Sequence, residues 1–167
     1  VWRSKDGLHW ICVQRKAMFP QRQKHATIEF QGKLWVLGGE IAGNESDRGL
    51  DCYNSTDGIH WSKVKLNRDI PHRFNHRLVL FKGKLWLIGG VSVCDYRKDI
   101  WYTSDGRNWH EATNEADFNW NSTSEAFTFN EKLTVLTTSG RDGAEACETW
   151  VSPDGVSWTR ISQATLS

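Results

Sequence analysis

Two arginine–histidine pairs recur at one spacing in this chain: Arg22 stands three residues before His25, and Arg73 three before His76. A guanidinium presents its donors in a rigid fork that matches a carboxylate through two parallel hydrogen bonds. An imidazole beside it carries a proton near neutral pH. That pairing suits a sugar acid or an acidic side chain. The alternative is a ring of Arg and His side chains bonded to loop carbonyls, repeated because the chain repeats. A third copy falls at Asn121 and Ser124, so any ring is not uniform. Glu40, Asp47, Arg48, Asp95, Arg97, Arg141 and Asp142 sit in connecting segments of variable sequence, where binding residues tend to collect and where solvated charge is equally at home. Phe118 and Trp120 form an aromatic pair that could stack on a sugar ring, anchor a protein, or fold inward as a plug. The candidate binding residues are therefore Arg22, His25, Arg73, His76, Arg97, Phe118, Trp120 and Arg141.

Catalytic chemistry finds less support. No nucleophile–base arrangement is visible, and general acid–base work needs a histidine of shifted pKa beside a positioned carboxylate. Glu29 and Glu125 are the acids nearest in sequence to the His25 and His76 positions and their third counterpart. Cys12, Cys52, Cys94 and Cys147 are too far apart for a C-x-x-C zinc knuckle, so neither a metal nor a cofactor is expected. A disulfide between Cys94 and Cys147 is geometrically open, while Cys52 reads as a buried thiol. The 21 basic and 20 acidic residues are intermingled, without the basic stripe of a nucleic-acid binder. No apolar run approaches the roughly 20 residues of a membrane-spanning helix. Sequons at Asn44, Asn54 and Asn121 point to an extracellular or periplasmic location.

The elements that must hold these side chains follow from a repeat. The pattern [S/T]-x-D-G-x-x-W occurs four times, with Asp6-Gly7, Asp57-Gly58, Asp105-Gly106 and Asp154-Gly155 followed by Trp10, Trp61, Trp109 and Trp158, a period of about 50 residues. Gly supplies positive φ, and Asp bonds the backbone two residues on, so these are turns rather than catalytic aspartates. Upstream of the last three turns lies a second block: H-A-T-I-E-F-Q-G-K-L-W-V-L-G-G from His25, H-R-L-V-L-F-K-G-K-L-W-L-I-G-G from His76, and S-E-A-F-T-F-N-E-K-L-T-V-L-T-T from Ser124. Each unit reads as four short strands. The first two lie near 27–30 and 34–37, and again near 78–81 and 85–88. Nine of the ten tryptophans fall in three repeated columns, as packing residues would; Trp120 stands outside them.

With Gly38-Gly39 and Gly89-Gly90 closing the second strand, an aromatic in the third and a Trp after the turn, the chain resembles the kelch repeat, in the form carrying G-K-L-W and S-x-D-G-x-x-W. The resemblance covers nearly the whole chain. It implies an all-β, kelch-like β-propeller of about three and a half four-stranded blades, a partial ring. The segments are an outer half blade at 1–13, blades at 14–64 and 65–112, and a divergent blade at 113–167. The turn is also similar to the Asp box of sialidases, S-x-D-x-G-x-x-W, but lacks one residue between Asp and Gly in all four copies. The expected function is a non-catalytic binding or scaffold module whose loops meet a protein or a glycan. The alternatives are a carbohydrate-active enzyme, sialic-acid epimerase-like or sialidase-like, and a purely structural subunit. The expected partners include the remainder of a longer chain, or another subunit, completing the propeller.

Overall fold

A computed structural model describes residues 1–41, 49–92, 95–139 and 146–165. Every named element in them is a β-strand. A hairpin of β1 (Trp2–Ser4) and β2 (Trp10–Cys12) comes first. A short ribbon then pairs β3 (Arg22–Gln23) with β6 (Glu40–Ile41), an element the sequence pattern does not announce. The first four-stranded sheet runs β4 (Ala26–Phe30), β5 (Lys33–Leu37), β7 (Cys52–Ser55), β8 (Ser62–Lys63). The second is β9 (Arg77–Phe81), β10 (Lys84–Ile88), β11 (Ile100–Thr103), β12 (Trp109–Thr113). The third is β13 (Glu125–Phe129), β14 (Lys132–Ser139), β15 (Ala146–Ser152), β16 (Thr159–Thr165). All three are antiparallel meanders in sequence order. Among the described residues no helix is long and apolar enough to cross a membrane.

Local chemistry explains the turns. The β4–β5 and β9–β10 connections are the two-residue loops Gln31-Gly32 and Lys82-Gly83, both residues of each at positive φ, the twist that suits a tight hairpin. The third sheet uses Asn130-Glu131 at φ 45° and 58° instead. In the Asp-Gly turns, Ser55 Oγ accepts the Gly58 N–H at 2.8 Å, and Asp57 Oδ1 accepts the Ile59 and His60 N–H groups at 2.8 Å each. The other three turns repeat this set. The His60 side chain with the His60 and Ile59 N–H groups holds the Asp57 carboxyl well below the usual range, and the His9 N–H and side chain with the Leu8 N–H do so at Asp6. At Asp105 burial opposes the shift, yet the Asn108 and Arg107 N–H groups still bring it down to about 2.

The core lies between sheets. Phe30, Trp35, Leu37 and Cys52 of the first sheet pack against Leu85, Leu87, Trp101 and Trp109 of the second. Val79, Phe81, Trp86 and Ile88 on the other face of the second pack against Leu133, Val135 and Trp158 of the third. Because its inner strands bury both faces, the second sheet lacks a polar side. The first strands lie side by side, β4 against β9 and β9 against β13. Thr128 Oγ1 donates to Leu80 O at 2.8 Å across the latter junction. Each junction also sets an indole on a bare glycine: a Cβ on Gly106 would come 2.2 Å from the Trp35 ring, and one on Gly155 2.1 Å from Trp86. The outermost faces remain open. Leu34 is 42% exposed where its counterparts Leu85 and Leu133 are at 0%, and Phe129 is 61% exposed where Phe30 and Phe81 are below 7%.

Cys52 is fully buried, and burial together with the Asp51 charge pushes its thiol up to about 12. Cys94 lies outside the described residues, and with it the Cys94–Cys147 pairing.

Two outcomes test this account. Gly7 and Gly106 share a φ near 77°, but a Cβ on Gly7 meets nothing within 4 Å. Gly106→Ala should therefore cost about 3 kcal/mol, the left-handed strain plus a clash, and Gly7→Ala only about 1 kcal/mol, by urea denaturation; equal costs would remove the indole–glycine contact from the account. Glu131→Gly should stabilise by about 1 kcal/mol through relief of a left-handed non-glycine residue, and a fall in melting temperature would contradict this.

Candidate functional site

The strongest polar constellation grows from the segment leading into the second sheet. Pro71 cannot continue a ladder, and the chain turns back so that Arg73 enters the interior with no exposure. Its Nη1 donates to Asp99 Oδ1 at 2.7 Å and to Gly89 O at 3.0 Å, its Nη2 to Asp99 Oδ2 at 2.6 Å, and its Nε to Pro71 O at 3.2 Å. Trp101 Nε1 adds a bond to Asp99 Oδ2 at 2.6 Å. Burial pushes the Asp99 carboxyl up, but the Arg73 fork more than offsets it and holds the group below the usual carboxylate range. A bidentate pair this deep is neutral in sum, and removing either partner costs about 3–5 kcal/mol.

Arg22 repeats the arrangement more loosely. Its Nη1 donates to Gly38 O at 2.8 Å, Nη2 lies 3.5 Å from Asp51 Oδ2, and the guanidinium stacks 5.1 Å from the Tyr53 ring centre. In the third unit Asn121 Nδ2 donates to Thr138 O at 2.8 Å. The acids that receive the arginines, Asp51 and Asp99, stand two residues before Tyr53 and Trp101, and Glu148 holds the same place before Trp150. Sequence reasoning passed over this column, although aligning D-C-Y, D-I-W and E-T-W would have exposed it.

His76 is buried with neither ring nitrogen bonded to protein. It fills the space over Gly38, where a Cβ would come 2.8 Å from His76 Cε1. Burial lowers its pKa well below the usual value, and the charges of Arg73, Arg77, His72 and His25 lower it further. His25 is exposed by surface area, and burial of its ring, then Arg22, lowers its pKa too. The residues preceding the histidines, Lys24 and Asn75, both take positive φ, and Asn75 N–H donates to Lys24 O at 2.9 Å, tying one unit to the next. Glu29 and Glu125 do not meet these histidines in any hydrogen bond: Glu29 accepts the Gly32 N–H, and Glu125 takes the Arg77 guanidinium at 2.6 Å.

Phe118 and Trp120 fold inward. Both are buried, Phe118 edge-on to Trp158 at 4.9 Å, and Trp120 so close over Gly89 that a Cβ there would lie 2.1 Å from its ring. Of the alternatives open in the sequence, the structure adopts the plug. Arg97 borders an open cleft, of about 400 Å³, at the end of the second sheet where its longer connections emerge. Tyr96, 52% exposed, Asp95, Trp101 and Glu111 line it. The bridge Val91–Tyr96 and the Arg97 N–H to Gly90 O bond at 2.8 Å hold Tyr96 and Arg97, while the Arg97 Nε is buried without a protein partner. Arg141, with Asp47, Arg48 and Asp142, lies outside the described residues. No group of three potential metal ligands occurs among the described residues.

No protein-family profile matches the chain. It is similar to protein tag-53 of Caenorhabditis elegans, 36% identical over 90 residues, covering 53% of this chain and 7% of that protein. It also matches the Rho GTPase-activating protein gacHH of Dictyostelium discoideum at 27% over 92 residues, 51% of this chain and 6% of that one. A third match, tRNA wybutosine-synthesizing protein 4 of Rattus norvegicus, is 26% identical over 90 residues, 53% of this chain and 13% of that protein. The alignments thus span about half of this chain and a small share of each relative.

The sealed histidine carries a pH dependence. An unfolded His76 titrates near its ordinary value of 6.5, whereas the folded ring resists the proton. Its contribution is fully present above pH 6.5 and is lost as pH falls from there towards the depressed folded value; His25 acts with the same sign. Urea-unfolding free energies should fall between about pH 7.5 and about pH 5.5, and the slope should flatten in His76→Leu. An identical slope in that variant would place the titration elsewhere.

Proposed function

We propose that this chain is part of a kelch-like β-propeller that works as a non-catalytic binding module, with a protein or a glycan held at the end where the longer connections emerge. The observation that carries the reading is the Tyr96–Arg97 cleft. It joins the exposed Tyr96 ring, an Arg97 guanidinium nitrogen without a protein partner and the exposed acid Asp95 to the exposed Glu111 of β12. Aromatic and arginine side chains in such a setting are the common anchors of protein and sugar recognition. Repetition of the four-stranded meander, with first strands side by side and outer strands fanning away, supports the propeller. The spread of activities among the relatives, a Rho GTPase-activating protein and a tRNA wybutosine-synthesizing protein, supports a module that travels independently of any one chemistry. Arg22 and Arg73 then serve as internal struts, and the open faces of the first and third sheets await further sheets of the same kind.

A glycan array and a displayed peptide library, each probed with the chain and with a Tyr96→Ala/Arg97→Ala double variant, test the reading. Saturable binding is expected on one of the two, weakened at least about tenfold in the double variant with the melting temperature unchanged, as for loss of a hot spot. Binding that survives the double substitution, or turnover of a sialylated substrate by the chain, would overturn it.

A further inference from the structure

The last strand of each four-stranded sheet sets a charged residue opposite the aromatic of the strand beside it. Lys63 of β8 stands opposite Tyr53, Glu111 of β12 opposite Trp101, and Arg160 of β16 opposite Trp150. In the first and third units the charge is a cation, and it is used in one way. The Lys63 ammonium lies 3.0 Å from Asp51 Oδ1 and 6.0 Å from the Tyr53 ring centre. Arg160 Nη1 donates to Glu148 Oε1 at 3.2 Å, with the guanidinium 5.9 Å from the Trp150 ring centre. Each of these units thus lays a cation of its own against its acid and its ring. The second unit places an acid, Glu111, in the same position. Asp99 is already answered there by the Arg73 fork, so no cation is called for at that carboxylate. The cleft above is left with negative charge to spare. Lys98 and Glu115 lie 3.5 Å apart and offset each other. Glu111 and Asp95 are exposed, and neither enters an ion pair among the described residues. Arg97 is the single cation facing the two, and its Nε has no acceptor.

We propose, resting on the reading of the Tyr96–Arg97 cleft as the binding site, that it takes a lysine or arginine side chain of a protein partner. The cation is held by Glu111 and Asp95 beside the Tyr96 and Trp101 rings, in the place that the other two units fill from their own chain. A cation at an aromatic face gains from the ring, and more from carboxylates at its rim. The partner's main chain accounts for Arg97. A buried N–H without an acceptor is costly, and a backbone carbonyl next to the basic side chain supplies an acceptor without adding charge. An acidic peptide or an acidic glycan would instead bring its own anion against Glu111 and Asp95.

The probes are capped synthetic peptides Gly-Ser-Gly-X-Gly-Ser-Gly, with X lysine, norleucine or glutamate, and n-butylammonium, which is the lysine cation without a main chain. Each is titrated into the isotope-labelled chain and followed by amide chemical shifts. Saturable shifts centred on Tyr96 and Glu111 are expected from the lysine peptide, with the other three probes at least about tenfold weaker. Glu111→Lys gives the second unit the cation of the first. It should abolish binding of the lysine peptide and leave the melting temperature at or above that of the parent. Glu111→Gln should weaken binding at least about threefold, and added salt should weaken binding to the parent. No saturable shifts from the lysine peptide, binding untouched by Glu111→Lys, or a norleucine peptide that binds as tightly would overturn the inference. Butylammonium binding as tightly as the lysine peptide would also overturn it, by making a free amine the occupant. If Tyr96→Ala/Arg97→Ala abolishes capture of a glycan, or of peptides lacking lysine and arginine, this inference falls and the binding-module reading stands; if nothing binds at the cleft, both fall.

Discussion

An indole lying on the bare backbone of a neighbouring turn is the contact on which the rest of this structure depends. The second meander has two apolar faces, and each is covered by a neighbouring sheet. Trp35 over Gly106 and Trp86 over Gly155 set the distance and angle at which successive sheets meet. The Ser-Asp-Gly turn is the receiving half of that contact. Its side-chain bonds hold the glycine at positive φ without spending a ladder hydrogen bond, and the absent Cβ leaves room for the ring. With the spacing fixed, Leu37, Leu87 and Ile88 have a defined cavity to fill, and each is fully buried. Full burial of a leucine or isoleucine side chain contributes about 1.5–3 kcal/mol, so the junctions outweigh any single polar contact in the chain.

The buried Arg73–Asp99 fork belongs to the same design. The junctions bring the segments leading into each sheet over the ends of the second strands, where the Gly38 and Gly89 carbonyls would lack donors. Arg22 and Arg73 supply those donors and carry a charge inward in doing so. Asp51 and Asp99 neutralise it. A polar strut of this kind adds little net stability. It does specify which loop sits over which strand, and thereby the frame for the Tyr96–Arg97 loop, since Asp99 lies two residues beyond Arg97.

The strands and turns were legible because the repeat aligns them: Gly-Lys-Leu-Trp and Asp-Gly each occur in a context that admits one local geometry. The tryptophan columns were legible as packing residues for the same reason. The site was less so. Of the two readings open in sequence, a clamp for a ligand and a guanidinium bonded to loop carbonyls, Arg73 takes the second, at Gly89 O and Pro71 O; its acid partner Asp99, 26 residues away, was not legible. Trp120, outside every column, left the exposed and the inward-folded ring equally open, and nothing in sequence marked Gly89 as its seat. Tyr96 escaped notice because a single exposed aromatic in a variable loop has no counterpart in the other units. Repetition reports what the units share, and a binding surface lies where they differ.

The third unit shows that the constraint acts on bonds rather than on residue identity. Asn121 replaces arginine, yet its Nδ2 reaches Thr138 O and Oγ1 while its Oδ1 accepts from Thr123 N, Thr123 Oγ1 and Ser124 Oγ. Glu148, one methylene longer than Asp99, keeps the bond from the following tryptophan and adds Arg160 at 3.2 Å. The acid column thus persists although the arginine that motivates it in the other units has gone. The same bonds bear on the sequon at Asn121. Its amide nitrogen is the donor to Thr138 O and Oγ1, and a glycan attached there would leave a single N–H for the two acceptors. Asn-Ser-Thr at 121–123 thus also forms the local hydrogen-bond set of the loop, at the place where the other two units carry arginine.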